Sequence, residues 1–122
     1  MPLTYHIDTA DKIMTCEMSG YCNIGTINDL RKDLRTDPDF SPDLSLLFNL
    51  LDVTELDLSN ADFQEIAGNS PMSKTARRAY VVPTEEMFGM IRIFAGYSDA
   101  EAGGFQVFRQ LADAHKWLGL DE

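Results

Sequence analysis

The stretch SLLFNLLDVTELDLSNADFQE, residues 45–65, decides the fold of this chain. Its apolar run from Leu46 to Leu51 is too short for an amphipathic helix and predicts a strand buried on both faces, as in parallel sheets. The acidic segment that starts at Asp52 is expected to be a loop, and Ser59 is expected to open a helix over 60–67. In open α/β proteins, binding and regulatory sites often form where a strand delivers a polar loop to a helix.

Similar patterns predict the secondary structure of the rest of the chain. Alternating apolar residues, helical spacing and turn residues predict strands at 3–8, 12–19, 79–82 and 105–108, a loop at 20–25, and helices that follow Thr26, follow Thr84 and carry Leu111 to Leu118. The predicted order is β-β-α-β-α-β-α-β-α, an N-terminal β-hairpin followed by alternating strands and helices. This order predicts one α/β domain over residues 1–122, with a mixed, mainly parallel sheet and helices packed on it.

Composition narrows the classes of function. The 122 residues carry a formal net charge of −10, with a pI near 4.4, which argues against binding nucleic acid or anionic membrane surfaces by general electrostatics. The sequence contains no run of the roughly 20 apolar residues that a membrane span needs and no secretory pattern at its start, so a cytoplasmic location is expected. The spacing of Cys16 and Cys22 matches no zinc or redox motif, and we expect no metal and no cofactor.

Several short segments, taken in order, resemble a known family. They are Asp37-Pro38-Asp39-Phe40, Asp52-Val53-Thr54, Leu56-Asp57-Leu58-Ser59, Ala76-Arg77-Arg78-Ala79, Val81-Val82-Pro83, Val107-Phe108-Arg109 and Trp117-Leu118-Gly119-Leu120. Together they resemble the STAS-domain superfamily, most closely its SpoIIAA-like (STAS/SEC14-like) bacterial branch. The resemblance covers essentially the whole chain and implies the small α/β fold of anti-sigma factor antagonists and of sulfate-transporter tails.

The resemblance also implies a regulatory site in the 52–62 loop. In anti-sigma factor antagonists, an Asp-Ser-Ser-Gly motif follows the central strand, and a partner kinase, itself the anti-sigma factor, phosphorylates the second serine. Asp57 and Ser59 match the aspartate and that serine, whereas Leu58 and Asn60 replace the other two residues. The candidate phospho-switch loop consists of Asp52, Asp57, Ser59 and Asn60. The alternative for Ser59 is a helix N-cap, because serine is a preferred cap and Asp62 stands at the reciprocal position.

Two further surfaces are candidates for binding. Arg77 and Arg78 form a candidate anion site, since guanidinium groups bind carboxylates and phosphates in a bidentate manner. The alternative is that they cap and solvate the entrance to a strand.

The 87–97 helix is apolar on nearly every side, so it is buried in the core, covers an apolar ligand or forms a dimer surface. The residues proposed for either binding role are Met87, Met90, Ile91 and Phe94. If this helix forms a dimer surface, the protein is expected to be a homodimer.

These observations predict a non-catalytic regulatory or protein-interaction module whose partner is a regulatory kinase or an anti-sigma-like protein. We expect no catalytic residues, because the two histidines have no evident serine or cysteine partner. The alternative function is a carrier that binds an apolar small molecule or lipid beneath the 87–97 helix.

Overall fold

A five-stranded sheet forms the centre of the computed structural model, which describes residues 3–98 and 104–120. The strands are Leu3–Asp8 (β1), Ile13–Asn23 (β2), Ser45–Asp57 (β3), Arg78–Val81 (β4) and Phe105–Phe108 (β5). The helices are Ile24–Thr36 (α1), Asn60–Gly68 (α2), Glu85–Tyr97 (α3) and Leu111–Leu118 (α4). The strands lie side by side in chain order; β1 is antiparallel to β2, and every other neighbouring pair is parallel. The predicted fold class and element order are therefore confirmed.

Strand β3 is longer than predicted. Its apolar part is a buried strand, as expected, but the strand continues to Asp57, so the prediction of a loop from Asp52 onward was wrong for its first six residues. Val53 and Leu56 are buried in the same core while Asp52 and Asp57 are exposed. They can share one face although they are three residues apart, because the register shift between Gly20 and Tyr21 leaves Thr54 as an extra residue on β3. The acidic segment is a strand because an extension of β2 pairs with it.

The extension of β2 to Asn23 and the start of α1 at Ile24 together replace the predicted loop at 20–25. Residues from Ser19 to Asn23 pair with β3, after register shifts between Glu17 and Ser19 and between Gly20 and Tyr21. Gly20 has a φ of 69°, a left-handed conformation that glycine adopts without the penalty of a side chain. At each shift β3 has one residue more than β2, so the bulges lie on β3. Bulges of this kind let the pairing continue past an irregular position.

Helix α1 consequently begins before Thr26. Asn23 is the N-cap: its Oδ1 accepts a hydrogen bond from the Thr26 amide at 3.2 Å, and Thr26 Oγ1 accepts one from the Asn23 amide at 3.4 Å. The prediction that this helix follows Thr26 was wrong, because Thr26 lies in its first turn and supplies the reciprocal half of the capping box.

The helices lie on both faces of the sheet. Buried residues of α1, α2 and α3 share one core with alternate residues of the strands, such as Cys16, Phe48 and Tyr80. Connections of one hand that run in one direction across a sheet place their helices on the same face. Helix α4 packs on the opposite face, where Ala114 contacts the second core formed around Leu47 and Val81.

Candidate functional site

A cavity of about 90 Å³ lies between the sheet and helices α1 and α2. Its walls are almost entirely apolar, and residues typical of them are Met14, Met18, Leu30, Phe48, Ile66 and Ala67. The strand residues reach it because alternate side chains of β2 and β3 point to the same face of the sheet. Such a space suits an apolar group and offers few partners to a polar one.

Arg31 of α1 is a polar residue in this cavity wall. Its Nη2 donates to the Ile66 carbonyl at 2.8 Å, and its Nη1 donates to Asn28 Oδ1 at 3.3 Å. The side chain is half-buried, and burial lowers the pKa of Arg31, while the charge of Glu65 acts in the opposite direction. An arginine nonetheless keeps its positive charge at neutral pH, so the cavity has a cation at its edge.

A second space, a groove of about 210 Å³, adjoins the cavity. Arg31, Leu34 and Pro71 line both spaces, so the groove is the outward continuation of the cavity. Arg35 and Asp37 add charged groups to the groove. The cavity and groove together form an apolar space with a charged mouth.

Asp37 is already engaged by two donors. The Tyr5 hydroxyl donates to its Oδ2 at 2.6 Å, and the Asp39 amide donates to its Oδ1 at 2.9 Å. The hydrogen bond from Tyr5 is the main cause that lowers the pKa of Asp37, and the same bond helps to raise the pKa of Tyr5 to about 12. Asp37 is therefore a stable carboxylate in the groove at neutral pH.

The candidate phospho-switch residues are split between a strand and a helix start. Ser59 is the N-cap of α2: its Oγ accepts from the Asp62 amide at 3.1 Å, and Asp62 Oδ2 accepts from the Ser59 amide at 3.0 Å. The expected N-cap is confirmed. Asp57 ends β3, Asn60 begins α2, and Asp52 lies five strand residues before Asp57, a separation of roughly 16 Å at the usual rise per residue.

Tyr21, which was not predicted as a site residue, lies beside the junction between β3 and α2. It is 47% exposed, and its hydroxyl donates to Asp57 Oδ2 across the paired ends of β2 and β3. That hydrogen bond is the main cause that raises the pKa of Tyr21. The contact depends on the extension of β2, so no local pattern indicated it.

Arg77 and Arg78 are not brought together in one site. Arg78 is 3% exposed; its Nη1 donates to Ser98 Oγ at 2.8 Å, and its Nη2 donates to the Ser73 carbonyl at 2.9 Å. Arg77 lies over the Trp117 ring at 4.9 Å from its centre and donates to the Trp117 carbonyl at 2.7 Å. The Arg78 guanidinium lies in the wall of the cavity beneath α1–α3, and the Arg77 guanidinium lies on the face of the sheet that α4 covers.

The four residues proposed on the 87–97 helix face the core. Met87, Ile91 and Phe94 are buried, and Met90 is half-buried. Ile91 and Phe94 reach the edge of the cavity, whose larger part lies against α1 and α2. The outward apolar residues of α3 are Ile93 and Tyr97, 51% and 39% exposed, so a dimer surface on this helix has to use them.

Arg31 and Arg35, which line the mouth of the cavity, were also not predicted as site residues. Their spacing of four residues on a predicted helix places both on one face, and this was the available signal. The spacing did not reveal that the face borders a cavity.

Residues 3–98 and 104–120 were searched for metal-binding groups and reactive thiols. No group of three histidine, cysteine, aspartate or glutamate side chains there is arranged to hold a metal ion. Cys16 and Cys22 are free and buried, and burial raises their pKa values to about 12 and about 11, so both thiols are protonated at neutral pH. None of the helices in these ranges has the length and apolar character needed to cross a bilayer.

The sheet order and helix arrangement define a SpoIIAA-like α/β fold. The fold is similar to the crystal structure of an uncharacterised protein from the DUF3478 family with a SpoIIAA-like fold, from Shewanella loihica PV-4. The match has a TM-score of 0.63 and 16% sequence identity, and it covers 95% of this chain and 93% of that one. The resemblance predicted from the sequence is confirmed at the level of the fold. A scan against protein-family models gives no match, and a search of curated proteins finds no similar sequence.

Proposed function

We propose that this protein is a non-catalytic binding module that holds a small apolar molecule in the cavity between the sheet and helices α1 and α2. The observation that carries the proposal is the cavity itself, about 90 Å³ with almost wholly apolar walls. A core cavity of this size costs about 2 kcal/mol relative to a filled core, at ~24 cal/mol per Å³. An apolar ligand recovers that free energy by restoring the missing contacts.

The volume sets the size of the bound group. An engineered cavity of about 150 Å³ holds benzene, so 90 Å³ has room for roughly four carbon atoms by proportion. Methionines at positions 14, 18 and 72 line the cavity, and their flexible side chains can adapt to somewhat larger ligands.

Titration with hexan-1-ol tests the proposal. Burial of about four carbons contributes about 3 kcal/mol and predicts a Kd of about 5 mM, which two-dimensional NMR measures through chemical-shift changes of residues that line the cavity. Ala67→Leu places three extra carbons in the cavity wall and is expected to abolish these changes. Ala61→Leu, the same substitution at an exposed position of α2, is the matched control and is expected to bind as the wild type does.

Two results would count against this function. One is the absence of any shift around the cavity at saturating hexan-1-ol. The other is unchanged binding in Ala67→Leu, which would place the alcohol elsewhere. Native mass spectrometry of protein from its natural host adds an independent measurement, since a retained small molecule is expected as a mass increase.

A regulatory protein-interaction surface is the second candidate function. The observation that favours it is the exposed Tyr21 ring beside Asp57 and Ser59, because exposed aromatic residues are enriched at protein interfaces. A phosphate on Ser59 adds roughly −1.5 to −2 charges at the start of α2, where Asp62 is already negative. The proposed partner is a cytoplasmic regulatory kinase or an anti-sigma-like protein.

Phosphate mapping tests this second candidate. After incubation with a kinase encoded beside the protein, mass spectrometry is expected to find phosphate on Ser59 and none in Ser59→Ala. Modification elsewhere, or none at all, would remove the phospho-switch hypothesis.

A further inference from the structure

We propose that the ligand is an amphiphile with a carboxylate head group, and that Arg31 and Arg35 of α1 bind this head group at the mouth of the cavity. The inference rests on the proposed binding function and names its ligand class. Arg31 lines both the cavity and the outer groove, and Arg35 lines the groove. A chain that fills the cavity therefore places its polar end beside these two side chains.

The two arginines have hydrogen-bonding capacity for such a head group. A guanidinium has five N–H donors, and Arg31 uses two of them in its bonds to Ile66 and Asn28. Arg35 is exposed and has no hydrogen bond or ion pair to another residue within the described ranges. Guanidinium groups bind carboxylates through paired N–H···O bonds, which are stronger than neutral ones.

Electrostatics favour an anion at this position. Arg31 and Arg35 lie four residues apart on one helix face, and the charge of Arg35 acts to lower the pKa of Arg31. Like charges at this spacing destabilise a helix, and a bound anion relieves the repulsion. Glu65 offsets part of this repulsion at Arg31, while Arg35 has no carboxylate partner within the described ranges.

Asp37 limits the charge of the head group. Its carboxylate lines the same groove and is held negative by Tyr5 and the Asp39 amide. A carboxylate carries one negative charge and meets less repulsion from Asp37 than a doubly charged phosphate does. With room for roughly four carbons in the cavity, a six-carbon chain brings its head group to the mouth.

Binding of hexanoate and hexan-1-ol at neutral pH tests the inference. The two probes have the same chain and differ in the charged head group. In the wild type, hexanoate is expected to bind about tenfold to a hundredfold more tightly, the range for hydrogen bonds to charged groups. Arg31→Gln and Arg35→Gln are each expected to reduce that preference, the ratio of the two Kd values, by tenfold or more.

Arg92→Gln is the matched control. Arg92 is exposed on α3, lies over the Phe88 ring and lines neither space, so its removal changes the net charge equally without touching the site. If Arg31→Gln fails to fold because it loses the bond to Ile66, Arg35→Gln decides the result. Equal binding of the two probes in the wild type, or an equal loss in Arg92→Gln, would overturn the inference while the apolar binding function stands. If neither probe binds, the proposed function itself fails.

Discussion

Filling the cavity at Ala67 is expected to stabilise the protein as well as block binding. Ala67 lies in α2 with its side chain in the cavity wall, and it is buried. Leucine has nearly the helix propensity of alanine, so the substitution Ala67→Leu changes packing more than it changes the helix. The effect on the free energy of unfolding therefore reports whether the space exists.

The expected gain in the free energy of unfolding of Ala67→Leu can be calculated from the cavity in two ways. Three added carbons at about 0.8 kcal/mol each contribute ~2.4 kcal/mol. A cavity of about 90 Å³ at ~24 cal/mol per Å³ gives ~2.2 kcal/mol. Ordering the leucine side chain costs about 0.5–1 kcal/mol, which leaves a net gain of about 1.5 kcal/mol and, for a chain of this length, a Tm rise of roughly 5 °C.

Urea denaturation followed by circular dichroism measures this difference. Ala61→Leu is expected to change stability by no more than about 0.5 kcal/mol, as surface substitutions usually do. A loss of more than about 1 kcal/mol in Ala67→Leu would show that the site is already close-packed and would refute the argument from the cavity. An equal gain in both variants would trace the effect to the helix rather than to the cavity.

Three further outcomes follow from the hydrogen bonds. Ser59→Ala is expected to lose about 1 kcal/mol of stability and Ser59→Asp to retain it, because both serine and aspartate cap helices; equal stability of the two variants in urea would contradict the cap. The hydrogen bond from Tyr5 lowers the pKa of Asp37, so its contribution to stability is present above the usual carboxyl pKa and is lost as the pH falls through the lowered value. Tyr5→Phe is therefore expected to be less stable than the wild type near about pH 7, with a gap that closes toward about pH 3; a gap that stays constant with pH would exclude this linkage. Arg78→Met removes the donors to the Met72 and Ser73 carbonyls and is expected to cost about 2–4 kcal/mol, whereas Arg92→Met is expected to be nearly neutral; equal stability of these two variants would argue against a structural role for Arg78.

The local pattern predicted those parts of the fold that depend on neighbouring residues. The apolar run from Leu46 to Leu51 identified the buried central strand, and Ser59 with Asp62 identified the start of α2. The local pattern wrongly predicted loops at 52–57 and 20–25. Residues 52–57 and 20–23 are strand only because β2 and β3 extend together, and residues 24 and 25 begin α1. Pairing between segments more than 30 residues apart leaves little local signal when the residues are polar or include glycine.

The candidate site, like the fold, could be predicted from the sequence only in part. The sequence alone determined that the part of β3 from Leu46 to Leu51 is buried on both faces, because the run is almost uniformly apolar. It also predicts that Arg31 and Arg35 share one face of α1. Only the tertiary structure decided that this face borders a cavity, and that Arg77 and Arg78 belong to opposite sides of the sheet. The physical reason is that a cavity is the space left between elements after packing, so its position depends on how α1 and α2 lie on the sheet and on the volumes of side chains distant in the sequence.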